Sequence, residues 1–248
     1  RVYMSTNRGE SFTQYGPVLA GVAANAPFAV APNFSATGRV AVGVDSGASP
    51  ATVSLYDQRS NTWGDLGFGL ASSGGTRIGI VAVAFSPDYA RDDVTYAVGL
   101  VGGVMRVRAK RGLGAPVDVV SLSNVYERGY IRFDRGGYLY FGGSRAGGTL
   151  GDIERVDTRT LGAVISVAYE GNTSDAVSDF AILSGQGSSA RIVVTNLNQT
   201  GGSGTSPIVR WTRTGGVIAG VGQWENPEID VTGTDMTANV PKPVVAAD

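Results

Sequence analysis

The sequence contains no cysteine and no histidine. Without cysteine there is no disulfide, no Cys-x-x-Cys metal site and no thiol nucleophile. Without histidine there is no Ser-His-Asp or Cys-His catalysis, no His-ligated zinc and no imidazole pH switch. Lysine is nearly absent as well: Lys110 and Lys242 are the only two among 20 basic residues, and the rest are arginine. The formal net charge is −1, so the clustered basic excess of a nucleic-acid partner is missing. No signal-peptide pattern and no apolar run long enough for a transmembrane helix occurs in this piece. The chemistry left open rests on carboxylates, tyrosine, arginine or an oxygen-ligated metal. Arginine makes planar bidentate contacts to carboxylates, but the plain reading of these arginines is solvated strand faces and cross-strand ion pairs. The chain opens on Arg1 in the middle of a pattern, which suggests a piece of a longer precursor.

What is present is a β pattern. Hydrophobic residues make up 42% of 248 residues, and 37 are glycine, about twice the usual share of ~7%. The glycines lie in Ser/Thr/Asn-rich joints between β-branched runs, as expected for many short strands linked by turns. No amphipathic helix appears at 3.6-residue spacing. Apolar residues open similar strands at Val2, Val53, Val104, Ile153 and Ile208. A repeat of about 50 residues with several strands each points to propeller blades, whereas a β-sandwich, the runner-up, has no such self-similarity.

The first two copies align without a gap: Arg8 on Arg59, Ser11 on Thr62, Phe12 on Trp63, Gly16 on Gly67. In the third copy Ala109-Lys110-Arg111-Gly112 keeps the turn and loses the aromatic. A second element precedes these strands. Phe28–Val44 matches Val83–Leu100, with Pro32 on Pro87, Asn33 on Asp88 and Phe34 on Tyr89. Tyr130–Gly143 is a shortened copy and Phe180–Leu183 with Arg191–Thr195 a diverged one. Each unit is therefore four antiparallel strands. The expected organisation is a half blade at 1–16, blades at 25–70, 78–121, 127–169 and 176–224, and a tail at 225–248. The tail holds two strand candidates, Glu228–Val231 and Pro243–Ala247. They would complete the first blade, giving five, or pair with a neighbour; a fragment of a larger ring is the alternative.

The stretch Ser5-Thr6-Asn7-Arg8-Gly9-Glu10-Ser11-Phe12 resembles the Asp-box, or bacterial neuraminidase repeat, of sialidase-like propellers. That pattern reads Ser-x-Asp-x-Gly-x-Ser/Thr-Trp/Phe, and Asn7 stands at its aspartate. The second copy is half degenerate, with Gln58 for Asp and Ser60 for Gly, while Arg59, Thr62 and Trp63 remain. The segment Ala84–Arg106 also looks like blades of extracellular bacterial Asp-box proteins. The resemblance implies a structural device: Asn7 accepts turn N–H groups, Gly9 permits the tight backbone, and Phe12 packs between strands. Family sialidases need an arginine triad, a Tyr–Glu nucleophile pair and an Asp acid/base. Their first arginine lies in Phe/Tyr-Arg-Ile-Pro, and Tyr130-Ile131-Arg132-Phe133 lacks the proline.

Glycosidases in general pair two carboxylates, and Asp134, Asp152 and Glu154 are candidates, with turn and surface acids the plain reading. Asp88, Asp92 and Asp93 share one connector, and Asp230 and Asp235 flank Thr-Gly-Thr. Such oxygen clusters bind Ca²⁺ in other loops, though neither matches an EF-hand, and no other cofactor is expected. Asn33, Asn172 and Asn198 begin Asn-x-Ser/Thr sequons. Gly185–Ser189 and Gln199–Ser206 are Gly/Ser-rich hairpin tips, not phosphate loops.

The expectation is an all-β propeller, extracellular or at the cell surface, that is not an enzyme. It would act as a scaffold or interaction module in a surface layer, sheath or filament, with protein partners or self-association through a surface or the tail strand. The alternatives are a carbohydrate-binding or sialidase-like glycoside-hydrolysing propeller and an assembly factor docking on a membrane complex through an Arg-lined face.

Overall fold

The computed structural model describes residues 1–22, 26–45, 50–71, 79–122, 124–145, 151–158, 166–170, 175–186, 190–198, 208–212 and 223–225. The chain is all-β, with the four-stranded antiparallel blades of a β-propeller. A two-stranded ribbon, β1 (Tyr3–Met4) with β2 (Thr13–Gln14), comes first. Four sheets follow, each a meander of strands adjacent in sequence. They are β3 (Phe28–Val30), β4 (Val40–Val44), β5 (Thr52–Asp57) and β6 (Thr62–Asp65); β7 (Ile80–Phe85), β8 (Val94–Val101), β9 (Val104–Arg111) and β10 (Val117–Ser121); β11 (Tyr126–Phe133), β12 (Tyr138–Arg145), β13 (Gly151–Asp157) and β14 (Ser166–Glu170); and β15 (Asp175–Ser184), β16 (Arg191–Asn198), β17 (Ile208–Thr212) and β18 (Gln223–Glu225). The third strands β5, β9, β13 and β17 begin within two residues of the apolar positions that set the repeat.

Two details differ from the expected local structure. The Pro-Asx-aromatic connectors are single helical turns, α1 (Phe34–Thr37) and α2 (Tyr89–Asp92). Proline before each fixes the entry, and a left-handed residue ends each turn: Gly38 (φ +59°) after α1 and Asp93 (φ +52°) after α2. A Cβ at Gly38 would fall 2.5 Å from the Tyr15 Oη, so glycine is required by space as well as by conformation. In the third copy Ala109 and Lys110 continue β9, and the turn moves on to Arg111–Gly114, because the 111 carbonyl accepts the Gly114 N–H at 2.9 Å. The tail candidates Glu228–Val231 and Pro243–Ala247 lie outside the described residues.

Two compact units divide the chain: Arg1–Gly103 with Val107–Val117, and Val104–Arg106 with Asp118–Asp248. In the first, strand alternation sends side chains of the β3–β6 sheet to opposite faces. Ala29, Ala41 and Val53 face one core with Ile80, Val83, Phe85 and Tyr89. Val40, Val42 and Tyr56 face another, covered by Tyr15, Val2 and Met4 from the ribbon. In the second unit Tyr140 and Ile153 pack on Val177, Phe180 and Ile192. Among the described residues no helix is long and apolar enough to cross a membrane.

Candidate functional site

The N-terminal turn is held by its own side chains. Ser5 Oγ accepts the Gly9 N–H at 2.7 Å and donates to Asn7 Oδ1 at 2.9 Å. Asn7 Oδ1 also accepts the Ser11 N–H at 2.9 Å, while Asn7 Nδ2 donates to Ser11 Oγ at 2.9 Å. Arg8 and Gly9 take positive φ, so the turn needs the glycine at the more strained angle, +91°. Phe12 corrects one expectation. It is 63% exposed and lies between no strands among the described residues, because it sits just ahead of β2 on the ribbon face turned away from the core. The second copy is built differently. Asp57, not Gln58, accepts the Arg59 N–H (2.8 Å), Ser60 and Thr62 share a hydroxyl hydrogen bond (2.8 Å), and Asn61 takes the left-handed angle. Trp63 is the aromatic that packs: its ring lies 5.2 Å from Tyr56 and its indole N–H donates to the Pro17 carbonyl at 2.9 Å.

An open polar cleft of about 260 Å³ lies where α1, the β5–β6 turn and α2 meet, lined by Asn33, Thr37, Arg39, Asp57, Arg59, Tyr89, Ala90 and Asp93. Arg39 is its hub. The guanidinium donates to the Tyr89 hydroxyl (2.9 Å), to Asp93 (3.2 Å) and to Asp57 (3.4 Å), and lies over the Tyr89 ring. Burial alone would lower the Arg39 pKa, but the Tyr89 hydroxyl and the two carboxylates outweigh it and raise it. The Arg59 N–H is the main cause holding the Asp57 carboxyl below its ordinary range, with Arg39 assisting against burial. Two arginines and two aspartates leave the lining neutral, with donors and acceptors mixed. Tyr89 itself is buried against Phe85, rings 4.5 Å apart, so its face is not open for stacking.

The remaining sequence candidates separate. In the second unit Asp152 and Glu154 point to one face of β13 and share one buried hydroxyl. Tyr126 Oη donates to Glu154 at 2.6 Å and lies 3.5 Å from Asp152. Arg145 Nε donates to Asp152 at 2.9 Å and pairs with it again through Nη2, and Asn124 adds a bond at 3.3 Å. Burial pushes the Tyr126 hydroxyl far above its ordinary range, and the nearby Glu154 and Asp152 charges push the same way. Tyr126 is thus held protonated, donating to Glu154. Asp134 is elsewhere, capping the β11–β12 turn through the Gly136 and Tyr138 N–H groups (2.8 and 3.0 Å) and accepting from Tyr140 (3.2 Å). Arg132 pairs with Asp179 at 3.1 Å between the Tyr130 and Phe180 rings.

The connector acids do not converge. Asp92 accepts from Ser86 Oγ (2.6 Å) and the Val94 N–H (3.0 Å), Asp93 pairs with Arg39, and Asp88 precedes α2. Among the described residues no three acids gather as a metal site. Asp230, Asp235 and Asn172 lie outside the described residues; Asn198 ends β16 opposite Asp175, and Asn33 borders the cleft. On β9, Arg106 pairs with Asp118 and Arg108 donates to the Phe68 and Pro116 carbonyls. Sequence reasoning missed the Arg39 hub and Tyr126. The signal for the first was Arg39 itself, a charge at the entry of an apolar strand, 50 residues before Tyr89.

The chain matches no protein-family model and no curated protein sequence. Solved structures that it resembles include TolB from Acinetobacter baumannii, at 14% identity and TM-score 0.48 over 78% of this chain and 42% of that one. PQQ-bound aldose sugar dehydrogenase from Streptomyces coelicolor is 20% identical with TM-score 0.46, over 76% and 60%. An exo-β-1,3-galactanase from Phanerochaete chrysosporium is 15% identical with TM-score 0.42, over 77% and 47%. The chain therefore spans less than two thirds of the length of these structures.

Proposed function

We propose that this chain is a non-catalytic propeller module of the Asp-box kind, extracellular or at the cell surface, that serves as a scaffold and binds other proteins. One observation supports the reading: Phe28 and Val30 on β3 are 63% and 50% exposed on the sheet face where their neighbours Val40, Val42 and Tyr56 are buried. Exposed apolar strips of this sort mark interaction surfaces. The candidate acids support it from the other side, since Asp134, Asp152 and Glu154 are buried and held by protein donors. The test is an assay of the purified chain on fluorogenic sialosides, galactosides and arabinosides. No turnover above buffer is expected. Turnover that Glu154→Gln abolishes in a folded protein would overturn the reading.

A second reading, glycan binding, is favoured by the cleft around Arg39. Its neutral mixture of amide, guanidinium and carboxylate groups suits hydroxyls, which both donate and accept. Titration with galactose, glucose and N-acetylglucosamine, followed by NMR shifts, tests it. Shifts at Asn33 and Arg59 that vanish in Arg59→Ala are expected if it holds, and no shift at millimolar sugar sinks it.

A further inference from the structure

The charged groups that line the cleft are unequally committed. Arg39 takes up both carboxylates: Nη1 donates to Asp93 at 3.2 Å and Nη2 to Asp57 at 3.4 Å. Arg59 is exposed, and its guanidinium makes no hydrogen bond or ion pair among the described residues. Its backbone is nevertheless fixed. The Arg59 N–H donates to Asp57 Oδ1 at 2.8 Å, and the Ser60 and Thr62 hydroxyls bond to each other at 2.8 Å on the same turn. The guanidinium therefore starts from a set position at the rim. On the α1 wall, Asn33 Oδ1 accepts from Thr37 Oγ1 at 3.3 Å. That leaves the Asn33 Nδ2 group as a donor with no acceptor among the described residues. The cleft thus offers an incoming molecule two donors, one of them charged, while its two carboxylates are already balanced by Arg39.

We propose that this cleft binds a sugar ring that carries a carboxylate, a hexuronate, an inference that rests on the glycan reading and names its ligand class. The Tyr89 ring is buried against Phe85, and Tyr89 is the only aromatic in the lining, so the cleft gives a sugar no face to stack on. Hydroxyls alone exchange bonds to water for bonds to protein at a small net gain. A carboxylate on a guanidinium forms a charge-assisted, two-pronged pair, and Arg59 is the guanidinium open to it. The Asn33 Nδ2 group adds a second donor to the acid, and the ring hydroxyls donate to Asp57 and Asp93, whose oxygens keep lone pairs. A volume of about 260 Å³ lies below the ~300–1,000 Å³ of clefts that bury drug-sized ligands, which suits one ring and not a long chain. Arg59 then sets the preference for the acid over the neutral sugar.

The test is titration of the full chain at neutral pH with glucuronate, galacturonate, glucose, galactose and acetate, at low and high salt, read from the NMR shifts of the Asn33 and Arg59 amides. At least one uronate is expected to bind on the order of fivefold tighter than its neutral sugar at low salt, the gain of one exposed charge pair. The difference should shrink at high salt. Arg59→Gln keeps the backbone N–H and removes the charge, so it should erase the difference. Asn33→Asp keeps the oxygen that receives Thr37 and puts a negative charge on the wall, so it should weaken the uronate by more than the neutral sugar. Equal affinity for acid and neutral sugar, a preference unchanged in Arg59→Gln, or equal losses in Asn33→Asp would each overturn the proposal and leave the glycan reading standing. Acetate binding as tightly as the uronate would overturn it too, because the ring would then have no role. No shift with any of the sugars would remove the glycan reading and this proposal together.

Discussion

The strands β3 and β7 are the same element in two successive blades, and they end in opposite environments. Phe28 aligns with Val83 and Val30 with Phe85, and all four point to the side of the preceding sheet. Val83 and Phe85 are 6% and 5% exposed, closed by Ala31, Ala41, Val53 and Leu55 of the β3–β6 sheet. Among the described residues, the two-stranded ribbon packs on this face, and Phe28 and Val30 stay 63% and 50% exposed. The strand sequences are alike because the repeat demands an apolar residue there. Burial differs because it belongs to the pair of sheets and not to the strand. An apolar residue in a repeat position is thus a core residue in one blade and an exposed one in another.

The sharpest way to break this comparison is to delete both aromatics. Phe85→Ala should cost about 3–5 kcal/mol, the usual figure for a closed core site, read as a shift of the urea midpoint. Phe28→Ala in the monomer should stay within about 0.5 kcal/mol, as exposed substitutions do. Equal losses would mean that β3 is covered after all. The connectors extend the contrast. Tyr89→Phe removes the hydroxyl that receives Arg39 and leaves the ring on Phe85; a loss of about 1 kcal/mol is expected. The aligned Phe34 has no such bond, so Phe34→Tyr should change the urea midpoint little.

The two turns give a smaller difference. Asn7→Ala removes one acceptor and one donor of the first turn and should cost about 0.5–1.5 kcal/mol. Gln58→Ala, at the aligned position, should be neutral, because Asp57 does that work. The smallest effect is a pH dependence. Asp57 has a folded pKa below its unfolded value, so the unfolded chain binds the extra proton and stability falls with acid. The difference between Asp57→Asn and the parent should be full above about pH 5 and fade as pH drops through and below the ordinary carboxylate range near 3.9. A difference constant from pH 7 to pH 2 would show that the charge of Asp57 is irrelevant.

Much of the blade order was legible because strand and turn signals are local. Val53, Val104 and Ile153 open or nearly open third strands since alternation and glycine placement act over a few residues. The Ser5–Ser11 turn was legible for the same reason: all its partners lie within six residues. Phe12 was not, because an aromatic at a box position is buried only if a strand lies over it. Nor was Tyr126, whose hydroxyl meets Glu154 from 28 residues away, or the Arg39 hub, which joins α1, the β5–β6 turn and α2 across 54 residues.

The sequence alone determined the kind of chemistry open to this protein and the repeat that builds it. The absence of cysteine and histidine removes whole mechanisms wherever the chain folds, and a spacing of about 50 residues with short alternating strands permits little besides blades. The tertiary structure alone decided which copies of one pattern are covered and which carboxylates are enclosed. Those properties depend on what lies across a sheet face. For Val2, Tyr3, Phe28 and Val30 that is settled by distant segments and not by their neighbours in the chain.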